Sequence, residues 1–149
     1  MSEVLFYHLT QSTLDRTLPG LVERSLERKW RVSIQFDSEK RRDEIDKHLW
    51  AFSPISFIPH GLDSDIWPHE QPVILTCTDE NPNQSTVRFC IEGAQCKNLD
   101  NYERIVIIFD GHDGEQLNRV RAQWKEFKTS GHTVTYWQQN ENQKWEKKA

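Results

Sequence analysis

RIVIIFD, residues 104–110, is the stretch whose reading decides the fold. A β-branched, apolar run with no polar alternation reads as a strand covered on both faces, in the middle of a sheet. It leads directly into FDGHDGE, residues 109–115, where two glycines allow a tight turn. Beyond the turn, helical spacing of apolar residues runs over 114–130 and stops at Gly131, a common helix terminator. TVTYWQQ, residues 133–139, then reads as a further strand. The order strand, helix, strand is the unit from which layered α/β domains are built.

Working back toward the N-terminus, EVLFYHLT is a buried first strand. A helix follows over about 13–28, carrying Leu14, Leu18, Leu21, Val22 and Leu26, with a kink or a late start expected at Pro19 and Gly20. RVSIQF, residues 31–36, alternates apolar and polar and is a second strand. Asp37 or Ser38 can cap a helix over about 39–50, with Ile45, Leu49 and Trp50 inside. Residues 51–72 form a long connection, rich in proline but also in aromatic and aliphatic residues. PVILTCT and TVRFCIEGA are the remaining strands, separated by the turn ENPNQS. The pattern predicts a three-layer α/β/α domain with a mixed sheet, spanning residues 1–139, and a polar, frayed tail over 140–149.

A chain of 149 residues suits one domain, and its six Trp, seven Phe and three Tyr supply the buried area that a hydrophobic content of 36% would otherwise leave short. The formal net charge of −4 argues against a general duplex-DNA binder, which must neutralise phosphates, but leaves room for a local basic patch. Cys77, Cys90 and Cys96 show no zinc spacing, and Cys77 and Cys90 fall in apolar segments as small core residues. A reducing cytoplasmic location is expected. No secretory h-region and no apolar run of membrane-spanning length occurs, so no membrane association is expected.

FDGHDGE admits two readings. Ligands of open α/β sheets bind beyond the C-terminal strand ends, so Asp110, His112 and Asp113 could hold a metal or serve a hydrolase. The structural reading needs less: Asp113 caps the next helix, Gln116 reaches back to complete a capping box, and acidic residues suit a helix N-terminus. There is no Walker lysine, no dinucleotide fingerprint after the first strand, no HExxH and no GxSxG elbow. No cofactor is expected.

The helix EQLNRVRAQWKEFK, residues 115–128, is more informative. Leu117, Val120, Trp124 and Phe127 form a stripe for the sheet, with Trp124 at its border. Arg121, Trp124, Lys125 and Lys128 follow i, i+3, i+4, i+7 spacing and can line one groove edge. Either Trp124 is core and the lysine stems cover it, or this edge takes an anionic, partly apolar ligand such as an acidic peptide.

LWAFSPISFIPHG (49–61), QPVILT (71–76), RIVIIFDGHD (104–113), RAQWKEFKTSGH (121–132) and VTYWQQ (134–139), after the opening VLFYHLT, together resemble the chi subunit of bacterial DNA polymerase III over residues 3–139. The resemblance implies a Rossmann-like fold without a working nucleotide site, and a non-catalytic subunit of the clamp-loader assembly. It implies binding to the acidic C-terminal tail of single-stranded DNA-binding protein, with the tail-binding Arg, aromatic and Lys matching Arg121, Trp124 and Lys125. Nucleic-acid contact would then be mainly indirect. Where some members carry a Lys one turn before the Arg, this chain has Leu117, and Lys128 can supply the charge instead. The family also binds the psi subunit, and some members a DinG-like helicase. The psi-contacting Trp and Phe match Trp50 and Phe57, and Leu49, Phe52 and Pro59 belong to the same candidate surface. Core burial beneath the long connection is the alternative for Trp50 and Phe57. Beside the adaptor stand two other functions, a metal-dependent hydrolase using Asp110, His112 and Asp113, and a degenerate nucleotide-binding module.

Overall fold

The computed structural model describes residues 3–10, 13–51, 61–62, 72–78, 80–81, 83–95, 99–142 and 144–148, with backbone alone at 15, 49–51, 61–62 and 100. The strands are β1 (Glu3–Leu9), β2 (Val32–Gln35), β3 (Gly61–Leu62), β4 (Val73–Thr76), β5 (Val87–Ile91), β6 (Arg104–Asp110), β7 (Thr133–Gln139) and β8 (Trp145–Lys147). Among the described residues they form one sheet in the order β3-β4-β2-β5-β6-β1-β7-β8. Every pairing is parallel except β7 with β8, so the sheet is mixed.

β6 lies between β5 and β1, and Ile105 to Phe109 are all buried. Its alternate side chains feed two cores. Val106 and Ile108 pack with Leu14, Leu18 and Val22 of α1 (Leu14–Glu27) and Ile45 of α2 (Glu39–Ala51). Ile105, Ile107 and Phe109 pack with Val120 and Phe127 of α3 (Gly114–Thr129) on the opposite face. The result is the three-layer α/β/α arrangement, with α1 and α2 on one side and α3 on the other.

Helix α1 runs from Leu14 through Pro19, so the helix starts before the proline and not after it. The hydrogen bond that Pro19 cannot donate falls in the second turn, close to the helix start. Ser38 caps α2, its hydroxyl accepting the Arg41 N–H at 3.2 Å. The polar positions of β2 are buried as fully as its apolar ones, because helices or loops cover both faces. Ser33 meets the Ser85 hydroxyl at 2.6 Å, and the Gln35 amide donates to the Gln95 carbonyl at 2.8 Å, which offsets the cost of burying them. Arg88 of β5 is also fully buried, its Nε donating to the Tyr102 hydroxyl at 2.9 Å. Cys90 is fully buried, whereas Cys77 is only half-buried, because it follows the last residue of β4.

Two strands were not legible in the pattern. β3 lies inside the long connection and pairs with β4 over two residues. β8 overturns the reading of 140–149 as a frayed tail. Asn140 organises the turn, its side-chain oxygen accepting from the Asn142 and Lys144 N–H groups at 2.9 and 3.0 Å. Trp145 then packs edge-on against Tyr7 with ring centroids 4.8 Å apart.

Candidate functional site

The chain leaves β1 for α1 on one face of the sheet and leaves the adjacent β6 for α3 on the other. The C-terminal ends of these two strands are thus a topological switch point, where α/β domains usually place a ligand. FDGHDGE occupies it, and its polar groups are used locally. The Gly111 N–H donates to the Leu9 carbonyl at 3.2 Å, tying the turn across the strand ends. One Asp110 oxygen accepts the His112 N–H at 2.9 Å. Asp113 is the N-cap of α3, one oxygen accepting the Glu115 and Gln116 N–H groups at 3.0 and 3.1 Å. Gln116 reaches back further than a capping box requires, its carbonyl accepting the Asp110 N–H at 2.9 Å. Asp110 and Asp113 are therefore turn and cap residues, and among the described residues no group of three or more His, Cys, Asp or Glu has a metal-binding arrangement. The adjoining crevice of about 360 Å³ contains Arg41, which is ion-paired with Glu92 at 2.5 Å and with Glu44 at 3.1 Å.

The cap fixes the start of α3, and the stripe on its inner side fixes its roll. Val120 and Phe127 are buried on the sheet, Leu117 and Trp124 partly so. Gln123 joins them at 2% exposure, its amide reaching the Ala94 carbonyl at 3.5 Å. Between α3 and the sheet a cleft of about 380 Å³ remains. The helix supplies Leu117, Val120, Arg121, Trp124 and Lys125, and the strands supply His8, Phe109 and Tyr136. Trp124 stands at the border, edge-on to Phe6 at 5.4 Å and to Tyr136 at 5.8 Å, which locks the indole in place.

Of the four candidate residues on this helix, Arg121, Trp124 and Lys125 line the cleft together. Lys128 does not; its ammonium sits 5.1 Å over the Trp124 ring, a cation–π contact on the outer side. Arg121 and Lys125 are exposed, and among the described residues neither has a carboxylate within ion-pair distance. Arg119 does, pairing with Glu115 at 2.9 Å and Asp37 at 3.3 Å, and so faces away from the cleft.

The strand contribution was missed. His8 stacks on Phe109 at 4.9 Å and its Nδ1 lies 2.6 Å from the Tyr136 hydroxyl. Burial and the nearby His112 lower the His8 pKa, with Asp110 opposing. Burial raises the Tyr136 pKa, with Arg121 opposing. The signal was strand parity. Phe6 and His8 alternate on β1, and the parallel register sets Phe6 beside Tyr136 and His8 beside Phe109. Of the second candidate surface, Phe52, Phe57 and Pro59 lie outside the described residues, as do the side chains of Leu49 and Trp50.

A layered Rossmann-like domain, with its switch-point turn closed by its own hydrogen bonds and a cationic-aromatic cleft under α3, defines the class. Residues 1–135 match the family model of the DNA polymerase III chi subunit, HolC, and the chain belongs to that family of accessory polymerase subunits. It is similar to "Probable DNA polymerase III subunit chi" of Rickettsia prowazekii (strain Madrid E), at 26% identity over 117 residues, covering 74% of this chain and 71% of that relative. Among the described residues no helix is long and apolar enough to cross a membrane.

Proposed function

We propose that this chain is a non-catalytic adaptor that links the polymerase III clamp-loader assembly to single-stranded DNA-binding protein, by taking that protein's acidic C-terminal tail in the cleft under α3. The observation that carries this reading is the placement of Arg121 and Lys125. Both are cations without a carboxylate partner among the described residues, at the mouth of a cleft walled by Leu117, Trp124 and Tyr136. The guanidinium of Arg121 suits a bidentate carboxylate. An apolar side chain at the tail end fills the cleft beside Trp124.

Exposed ion pairs contribute only about 0–1 kcal/mol each, so apolar burial supplies much of the affinity. Leu117 enlarges that apolar wall at the position where a further cation would otherwise stand. Contact with nucleic acid through this site is indirect. The same family resemblance supports a second partner, psi or a DinG-like helicase, on a surface that includes Leu49, Trp50, Phe52, Phe57 and Pro59, and on this reading the chain works with the replication machinery of the cytoplasm.

The test is calorimetric titration of a peptide copying the tail into the wild type and Arg121→Ala. Micromolar binding that is lost in the variant and weakened by salt is the expected outcome. No binding to wild type at low salt would remove the tail from this cleft.

A further inference from the structure

The opposite face of the sheet carries a second concentration of cations that the tail site does not use. Arg24 and Arg28 stand at the C-terminal end of α1, and Arg104 opens β6. All three line one cleft of about 130 Å³, together with Tyr7 and Trp30. The guanidinium carbons of Arg28 and Arg104 each lie 5.0 Å from the centre of the Trp30 ring. Among the described residues one carboxylate answers this group, Glu3, at 3.5 Å from Arg104. Among the described residues Arg24 and Arg28 have no carboxylate within ion-pair distance, and both are exposed.

Helix-end cations are ordinarily explained by the helix dipole. That accounts for Arg24 and Arg28 but not for Arg104, which comes from a strand and converges on the same ring. Aromatic rings continue from the cationic cleft. Tyr7 is edge-on to Trp145 at 4.8 Å and stacked with Trp137 at 6.4 Å. Arg24 and Trp145 also share a shallower cleft with Gly20 and Leu21. Trp137 and Trp145 are half-buried, so part of each ring remains accessible.

We propose that this face, on the α1 side of the sheet, binds single-stranded nucleic acid directly, with phosphates on Arg24, Arg28 and Arg104 and bases against Trp145 and Trp137. Guanidinium forks match phosphate oxygens bidentately. Interleaved cations and aromatic rings are how proteins hold single strands without sequence preference. An acidic peptide would satisfy the guanidiniums but would leave the row of rings beyond them without a role. The net charge of −4 confines the attraction to this local patch and disfavours a long duplex. Because α1 and α3 lie on opposite faces, both sites can be filled together.

Fluorescence anisotropy of a labelled oligothymidylate of about 15 nucleotides, within the range a single-strand site spans, tests this on the full chain. Wild type is expected to bind at low salt, with a log–log salt slope of about −2 for three phosphate contacts. Arg24→Glu/Arg28→Glu is expected to weaken binding about tenfold or more, since each contact becomes repulsive. Arg121→Ala is expected to bind as wild type does. If circular dichroism shows the Glu pair misfolded, Arg24→Gln/Arg28→Gln carries the comparison. The proposal is overturned by absence of binding at low salt, by undiminished binding in the folded double variant, or by loss of binding in Arg121→Ala. Displacement of the oligonucleotide by an equimolar acidic peptide would also overturn it, by assigning the face to carboxylates.

Discussion

The Tyr136 hydroxyl lies 2.6 Å from Nδ1 of His8, and this contact joins β7 to β1 on the floor of the cleft under α3. The ring is partly buried and its pKa is lowered, so the native state favours neutral imidazole. Between that lowered pKa and the ordinary value near 6.5, the unfolded chain binds more protons than the folded one, and stability rises with pH. The His8 contribution is therefore fully present above about pH 6.5 and is lost as pH falls through the folded value. Thermal melts taken from pH 7.5 down to 5.5 should show a falling Tm, and His8→Gln should flatten the slope. An unchanged slope in the variant would mean that other groups set it. Tyr136→Phe should cost about 1 kcal/mol at neutral pH, the usual net contribution of one hydrogen bond.

Gly111 is required by a close approach. A Cβ built there would fall 1.7 Å from His8 Nε2, closer than real atoms allow. His8 stacks on Phe109 and meets the Tyr136 hydroxyl, so moving it aside would break those contacts. Gly111→Ala should therefore destabilise by about 1–3 kcal/mol in urea unfolding. Gly114, three residues on, opens α3 with nothing within 4 Å of a built Cβ. Gly114→Ala should be neutral or slightly stabilising, since alanine loses less backbone entropy in a helix. Equal effects at the two positions would contradict the steric account.

Removal of residues 140–149 should lower the Tm, because β8 lies within them. β8 pairs with β7 at Trp137, Gln138 and Gln139, and Trp145 packs on Tyr7. Trp145→Ala alone should cost about 1–3 kcal/mol, the lower range for a half-buried aromatic. A truncated chain as stable as the full one would show that the strand contributes nothing.

The central layers were legible because their signals are local. RIVIIFD carries burial on both faces in its own composition, and Asp113 with Gln116 three residues on marks the start of α3 at Gly114. β8 was not legible, since NENQKWEKKA is polar except for Trp145 and Ala149, and a three-residue edge strand needs only its partner's unpaired backbone. On α3, helical spacing brought out Arg121, Trp124 and Lys125. It also grouped Lys128 with them, because periodicity fixes a face but not the side of an indole on which an ammonium settles. His8, Phe109 and Tyr136 lie on three different strands, and only the sheet register brings them together.

A parallel sheet that ended at β7 would present the sequence TVTYWQQ, rich in β-branched and aromatic residues, as an open row of backbone donors and acceptors. β8 covers the Trp137–Gln139 end of that row with a short strand whose outer residues include Glu146 and Lys147, and Lys148 follows with an ion pair to Glu146 at 3.0 Å. Charges on a brief outermost strand discourage another chain from adding itself there. β8 is therefore expected to protect this end of the sheet against templated edge-to-edge aggregation. Light scattering of the truncated chain under conditions where the full chain stays dispersed would register the loss of that protection.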